Sequence, residues 1–291
     1  QENNNIKKYN LQVGEYCKIS STKFVKISKQ GNRYLDVTFT ELKPKSNIKK
    51  LNKNEYIKLS TGEIKKFNYT KNKSIDSLIK TIKHIREIIR CNFNGDKNEI
   101  FLTLTYKENM QDTDKLYNDF KKFFQKLKRK FKDYNFEYIA VAEPQERGAW
   151  HLHILLKAEN QKSLFLQQEM LLKMWGYGGV FVKRIKNNVD DLGTYLGTYF
   201  TDLLNENSKQ RKKGARLHLY PKGFKFYRTS RGIKKPEVFY TQYKNIEEQG
   251  YKKTYTKTYE LIEEKIIENE KGEKKKERRI CNVIQKEVWK K

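Results

Sequence analysis

The chain has 291 residues, of which 63 are Lys or Arg and 35 are Asp or Glu, so its formal net charge at pH 7 is +28. This charge predicts a polyanionic partner, while a hydrophobic content of 36% supports a packed core and excludes a wholly disordered chain. The sequence has neither a long apolar run nor an apolar leader, so we expect no membrane span, no export and a cytoplasmic location.

The two ends of the chain predict β-structure outside a central domain. Residues 11–60 alternate polar and apolar side chains, which indicates short strands and hairpins, and residues 74–90 carry isoleucines at helical spacing. We therefore assign residues 1–97 to a β-rich N-terminal segment with one amphipathic helix, a candidate for DNA recognition. Residues 241–291 are rich in Lys and Glu and predict a C-terminal hairpin around a turn at 270–272.

The central residues 98–240 alternate predicted strands and helices. The elements are strands at 101–106, 138–143, 151–156 and 180–185, helices at 114–131, 163–175 and 190–204, and a short hairpin at 223–231. This order predicts an α+β fold in which helices flank one central antiparallel sheet, close to the split-βαβ plan.

Two of the four histidines lie two residues apart in the predicted strand 151–156. Residues at this spacing share a face of a strand, so the imidazoles of His151 and His153 point to one side. Glu143 ends the preceding strand across a hairpin and can supply a third ligand, with Glu146 in the loop as the alternative. A His-His-carboxylate set with open coordination positions suits a divalent ion such as Mg²⁺ or Mn²⁺.

Tyr195 and Tyr199 are four residues apart in the helix predicted at 190–204, and so lie on one helical face. The chain has 19 tyrosines, so this pair alone is not specific. Its neighbours Gly193 and Gly197 allow another backbone to approach closely.

Three segments occur in the order of the three motifs of rolling-circle replication initiators. They are the strand Phe101 to Tyr106, the run from Glu143 to His153, and Tyr195-x-x-x-Tyr199. On these residues the chain resembles the HUH endonucleases, in particular the two-tyrosine branch found in replication proteins of phages, plasmids and integrated elements. A further stretch, 227–236, resembles a segment often found downstream in that branch, and the resemblance covers residues 98–240.

The resemblance implies a metal-dependent nickase and strand transferase. Glu143, His151 and His153 would hold the ion, and Tyr195 or Tyr199 would attack a phosphodiester of single-stranded or cruciform origin DNA. The products would be a 5′-phosphotyrosine link and a free 3′-hydroxyl that a host DNA polymerase extends. No Gly-rich Walker-type loop is present, which implies a host helicase, and self-association into a homo-oligomer is a further expectation.

The third motif departs from its relatives, which commonly place a lysine three residues after a tyrosine. Thr198 and Asp202 hold those places here, so the cation that assists the leaving oxygen must come from elsewhere, with Lys183, Lys186 and Lys209 as candidates. DNA contacts are expected from basic and aromatic side chains, namely Arg147, Trp150, Lys183, Arg184, Arg211, Lys212, Lys213, Arg228 and Arg231.

Two other functions stay open. The same active site could serve an HUH transposase or a mobilisation relaxase. Alternatively, the chain could be a non-catalytic nucleic-acid-binding protein in which the His151/His153 pair is incidental. A zinc hydrolase fits poorly, because its histidines lie at helical His-Glu-x-x-His spacing.

Overall fold

The computed structural model describes residues 7–42, 48–58, 62–67, 75–185, 219–221, 224–268 and 274–291. These residues form antiparallel sheets with a smaller share of helix, so the predicted α+β class is confirmed at this level. The chain divides into two compact units. One unit combines Gln1–Thr70 with Glu237–Lys291, and the other is Lys71–Pro236.

The strands are, in chain order, β1 (Lys7–Val13), β2 (Phe24–Gln30), β3 (Tyr34–Thr40), β4 (Ile48–Lys50), β5 (Glu55–Lys58), β6 (Ile64–Lys66), β7 (Glu99–Thr105), β8 (Phe136–Pro144), β9 (Trp150–Ala158), β10 (Val180–Arg184), β11 (Tyr227–Thr229), β12 (Glu237–Gln242), β13 (Lys252–Glu268) and β14 (Lys274–Lys290). The helices within the described residues are α1 (Ile75–Asn92), α2 (Thr113–Lys130), α3 (Gln168–Trp175) and α4 (Lys244–Glu248). None of them combines the length and the apolar character needed to cross a bilayer.

The unit Lys71–Pro236 is built on a five-stranded sheet in the order β10-β7-β9-β8-β11. Strand β9 lies between β7 and β8 and is antiparallel to both. The strands that α2 connects are therefore parallel to each other and separated by a third strand, which is a split-βαβ connection. The side chain of Asp112 caps the start of α2 by accepting a hydrogen bond from the N–H of Asp114 at 2.8 Å.

Side chains alternate between two buried faces of this sheet. On β9, Leu152 and Ile154 belong to the apolar cluster that holds the buried residues of α2 and α3. Leu155 belongs to a second cluster, which contains the buried isoleucines of α1. Since residues two apart on a strand share a face, His151 and His153 lie on the α1 side of the sheet.

Two elements differ from the prediction. The helix expected at 163–175 begins at Gln168, because the N–H of Leu164 donates to the carbonyl oxygen of Lys97 at 2.9 Å rather than within a helix. Instead of the hairpin expected at 223–231, the strand β11 pairs with β8. The helix predicted at 190–204 lies outside the described residues.

The other unit combines strands from both ends of the chain in one six-stranded sheet, ordered β1-β13-β14-β3-β2-β12. The predicted C-terminal hairpin is confirmed by the pairing of β13 with β14, although its turn at 270–272 lies outside the described residues. Val25, Ile27, Val37 and Trp289 form part of the core on one face of this sheet. Strands β4, β5 and β6 form a small separate antiparallel sheet.

Candidate metal centre

The hairpin of β8 and β9 places three metal-ligand side chains at one end of the sheet. Glu143 on β8 lies directly opposite His151 on β9, and Val141 lies opposite His153. Side chains of directly opposed residues share a face, as do those two residues apart, so Glu143, His151 and His153 all point to the α1 side. Gly148 in the connecting loop has a positive φ of 89°, which other residues rarely adopt.

The donor atoms of these three residues converge. His151 Nε2 is 2.9 Å from His153 Nε2, and the Oε2 atom of Glu143 is 3.2 Å from the first and 3.0 Å from the second. Neighbouring ligand atoms of an octahedral site with bonds of about 2.1 Å lie about 3.0 Å apart. The three donor atoms are therefore spaced as three adjacent ligands of such an ion would be. The other coordination positions of the ion would be open to substrate oxygens or water.

The protonation states also suit a metal. Burial alone would raise the pKa of the Glu143 carboxyl, but hydrogen bonds with His151 and His153 outweigh this effect and hold the pKa at about 2. Burial lowers the pKa of His153. At neutral pH the site thus offers a charged carboxylate and, at His153, a neutral imidazole, the forms that bind metal ions.

Neighbouring side chains hold His153 in place. Its Nδ1 atom is 3.2 Å from the hydroxyl oxygen of Thr103, directly across on β7, and its ring stacks on Phe101 with centroids 5.6 Å apart. If Nε2 bound a metal, the proton would be on Nδ1 and could be donated to this hydroxyl, which would then orient the ring as the outer partners of ligating histidines do. The Nδ1 atom of His151 is buried and has no hydrogen-bond partner among the described residues.

Glu143, not Glu146, is the carboxylate that lies near the histidines. Glu143 belongs to the converging group, whereas Glu146 is an exposed residue of the loop. Thr103 was missed by the sequence analysis, although the alternation Thr103-Leu104-Thr105 is a signal, because it places both hydroxyls on one face of β7.

The residues predicted to contact DNA lie on different sides of the sheet. Lys183 on β10 is exposed and lies opposite Phe101, on the histidine side. Arg184 lies on the other side, and its guanidinium donates to the carbonyl oxygen of Lys97 at 3.3 Å. Arg228 also lies there, with its guanidinium 3.8 Å from the ring centre of Tyr117.

Two further residues of that set are held by their own contacts. Arg147, in the loop that joins β8 and β9, donates to the backbone oxygens of Tyr106 at 2.8 Å and Lys107 at 3.2 Å. Trp150 is only 2% exposed, and its indole N–H donates to the backbone oxygen of Gln111 at 2.9 Å. This is the position of a core residue and disagrees with the contact with DNA that the sequence predicted for Trp150.

Of the remaining predicted residues, the structure describes only Arg231. Arg231 is exposed in the turn after β11. The others lie outside the described residues: Tyr195, Tyr199, Arg211, Lys212, Lys213, Lys186 and Lys209.

One exposed residue near the metal centre was not predicted. Phe181 on β10 lies directly opposite Thr103, which in turn lies opposite His153. Its side chain therefore shares the histidine side of the sheet, and it is 56% exposed. A large exposed aromatic ring at this place suits contact with a nucleotide base.

Comparison with known proteins shows that part of the chain is similar to a protein family. No curated protein and no solved structure matches the chain. A family model does match, over a stretch of less than half the chain that includes the three converging residues and, near its end, Tyr195 and Tyr199. Residues 99–204 are similar to the family described as replication-associated protein ORF2.

Proposed function

We propose that the protein is a rolling-circle replication initiator of the two-tyrosine HUH type, which nicks and rejoins single-stranded DNA at an origin. The observation that carries this proposal is the convergence of Glu143, His151 and His153 within a stretch similar to replication-associated proteins. A net charge of +28 fits a DNA substrate.

Glu143, His151 and His153 would hold one Mg²⁺ or Mn²⁺ ion. Such an ion supplies positive charge that stabilises the oxygens of the scissile phosphodiester. The carboxylate of Glu143 lowers the net charge of the loaded site, and the hydroxyl of Thr103 fixes the ring of His153 in its ligating orientation. Two members of the apolar cluster around Leu155, Phe101 and Val141, lie beside His153.

Tyr195 and Tyr199 would supply the nucleophile. The tyrosine oxygen forms a bond to phosphorus, and the bond from phosphorus to the 3′ oxygen breaks. The phenol loses a proton, and the released 3′ oxygen gains one and becomes a 3′-hydroxyl. A free tyrosine ionises only near pH 10, so activation requires nearby positive charge. Two tyrosines allow a second transfer. The free tyrosine attacks the regenerated junction and releases a 3′-hydroxyl, which attacks the first phosphotyrosine, so that a phosphodiester forms and the first tyrosine is regenerated.

The DNA strand would pass along the histidine side of the sheet. Phe181 and Lys183 lie on this side, and the ring and the ammonium group suit a base and a phosphate respectively. Arg147 lies at the end of the hairpin that carries the ligands. Arg184 and Arg228 lie on the opposite side, so they would contact a different part of the DNA.

The proposed function also assigns roles to the segments of the chain and to host proteins. Residues 98–240 would carry the catalysis, with residues 1–97 and 241–291 recognising origin DNA or mediating self-association. Helix α1 is an exception within the first of these segments, because it packs on the sheet that holds the metal centre. A host polymerase would extend the 3′-hydroxyl and a host helicase would unwind the duplex, in the cytoplasm.

A nicking assay tests the proposal. Labelled single-stranded oligonucleotides that tile the protein's own genetic element are incubated with the protein and Mn²⁺ or EDTA, then separated on denaturing gels. We expect a metal-dependent cut and a covalent adduct on the peptide that contains Tyr195 and Tyr199. Tight binding without a cut or an adduct on every oligonucleotide would favour the non-catalytic binding protein.

The same assay separates the remaining alternative. A transposase or a mobilisation relaxase would use the same residues but would cut at element ends or at a transfer origin. The position of the cut within the tiled element therefore distinguishes these functions from replication initiation.

A further inference from the structure

The six-stranded sheet of the unit formed by Gln1–Thr70 and Glu237–Lys291 has two unlike faces. One face holds the apolar core, which includes Ile27, Val37 and, from α4, Ile246. Because side chains alternate along each strand, the residues between these core positions point to the opposite face. That opposite face carries lysines, tyrosines and threonines.

Strand register aligns these residues into rows that cross five strands. The first row is Tyr240, Lys26, Thr38, Lys286 and Lys257, on β12, β2, β3, β14 and β13. The adjacent row is Val238, Ser28, Asp36, Val288 and Tyr255 on the same strands. We call six residues of this surface the lysine–tyrosine face: Phe24, Lys26, Tyr240, Tyr255, Lys257 and Lys286.

The aromatic side chains of this face stand in solvent. Tyr240 is 68% exposed, Phe24 is 65% exposed and Tyr255 is 53% exposed. Large aromatic rings grouped on an exposed surface are typical of interaction sites. Tyrosines on a flat sheet are the platforms on which several nucleic-acid-binding domains stack unpaired bases.

Positive charge exceeds negative charge in these two rows, which hold Lys26, Lys257 and Lys286 against the single carboxylate of Asp36. The ammonium groups of Lys257 and Lys286 lie 5.3 and 5.1 Å from the centre of the same ring, that of Tyr259. Lys26 is exposed on β2. Within the described part of the chain, no carboxylate pairs with any of these three lysines.

We propose that the lysine–tyrosine face is a second binding site for single-stranded DNA, outside the metal centre. Bases stack on Tyr240 and Tyr255 while the lysines between them contact the phosphates. The two tyrosines stand four strands apart, which is about 19 Å, so a strand of several nucleotides crosses the sheet. The choice of DNA over RNA rests on the proposed function.

A duplex does not fit this arrangement equally well. Its bases are stacked on each other and cannot stack on the tyrosines, so a duplex would use only the lysines. The tyrosines therefore distinguish the two forms of DNA.

The test measures binding by fluorescence anisotropy with the full-length protein in EDTA, where nicking cannot occur. The probe is an oligo-dT of about 20 nucleotides. For the double variant Tyr240→Ala/Tyr255→Ala we expect an affinity weaker by at least about tenfold, because both rings on which bases would stack are lost. The double variant Tyr240→Phe/Tyr255→Phe keeps the rings and should bind like the unchanged protein.

The lysines are tested through the salt dependence. Each phosphate contact contributes about 0.7 to the slope of log K against log salt for a single strand. Lys26→Gln/Lys286→Gln should therefore lower this slope by about 1.4. A slope equal to that of the unchanged protein would overturn the proposed phosphate contacts.

A matched control is available on the same unit. Tyr16 is 59% exposed but contacts Lys253 rather than this face, so Tyr16→Ala should leave oligo-dT affinity unchanged. The proposal is overturned if the alanine double variant binds oligo-dT normally, or if it loses duplex and single-strand affinity equally. Since nicking is assayed separately with Mn²⁺, either result leaves the proposed function of the metal centre untouched.

Discussion

Glu143 and His151 lie directly opposite each other on β8 and β9, and Glu143 Oε2 is 3.2 Å from His151 Nε2. The register of one hairpin therefore brings a carboxylate and an imidazole together without a long loop. A shift of one residue would turn one of the two side chains to the other face of the sheet. The relative position of these two ligands is thus set by the register of a single hairpin.

The first prediction concerns the carboxylate. Glu143→Gln keeps the size of the side chain but removes the charged ligand, so we expect Mn²⁺ affinity to fall more than about 100-fold, beyond the usual effect of an outer partner. Titration calorimetry measures this affinity, and Mn²⁺-dependent nicking should fall with it. Glu146→Gln, in the adjacent loop, is the control and should change neither quantity. Equal Mn²⁺ affinity in both variants would exclude Glu143 as a ligand.

A second prediction concerns the outer partner Thr103. Thr103→Val keeps the β-branched shape but removes the oxygen that accepts from His153 Nδ1, so we expect Mn²⁺ affinity to fall about 10- to 100-fold. Thr103→Ser retains a hydroxyl and should restore most of the affinity. Thr105→Val is a matched control on the same strand, since its hydroxyl contacts Gly179 instead. Unchanged affinity in Thr103→Val would show that this contact does not orient the ligand.

The positions of the histidines could be predicted from the sequence, whereas the contact of Thr103 with His153 could not. The alternation of residues 151–156 is sufficient to place His151 and His153 on one face, because the period of a strand is fixed. The partnership of Thr103 with His153 depends on the register between β7 and β9, which are separated by about 50 residues of chain. Local patterns contain no information about that register.

Trp150 shows a signal that the sequence did contain. It lies two residues before Leu152 and four before Ile154, so the strand period places it with them in the core.

The pairing of β3 with β14, by contrast, joins opposite ends of the chain. No local pattern predicts such a pairing, and for that reason the joint sheet of the two ends was not foreseen.

The third prediction tests this position of Trp150. Trp150→Phe removes the indole N–H that donates to Gln111 and reduces the buried apolar area. We expect the free energy of unfolding to fall by about 1–3 kcal/mol, measured by urea denaturation. Oligo-dT affinity below the transition should stay unchanged. A loss of affinity at full stability would return Trp150 to the DNA surface.

The fourth prediction concerns the two tyrosines. Tyr195→Phe and Tyr199→Phe each remove one phenolic oxygen, so each single variant should keep partial nicking, whereas the double variant should form no covalent adduct. Denaturing gels with labelled oligonucleotides measure both the cut and the adduct. Tyr16→Phe is the matched control and should nick normally. Full activity in the double variant would exclude both tyrosines as nucleophiles.

The last prediction concerns Phe181, which stands on the histidine side of the sheet two strands from His153. Phe181→Ala removes the ring on which a base is proposed to stack. The free energy of binding single-stranded DNA at the metal centre should therefore weaken by about 1–3 kcal/mol. Nicking at low substrate concentration should fall with it, while Mn²⁺ affinity stays constant because no ligand is altered. Phe165→Ala is the control, since Phe165 is 74% exposed but lies outside the sheet. A variant that nicks normally at limiting substrate would place the DNA elsewhere, whereas a variant that also loses Mn²⁺ would mean that Phe181 supports the metal centre itself.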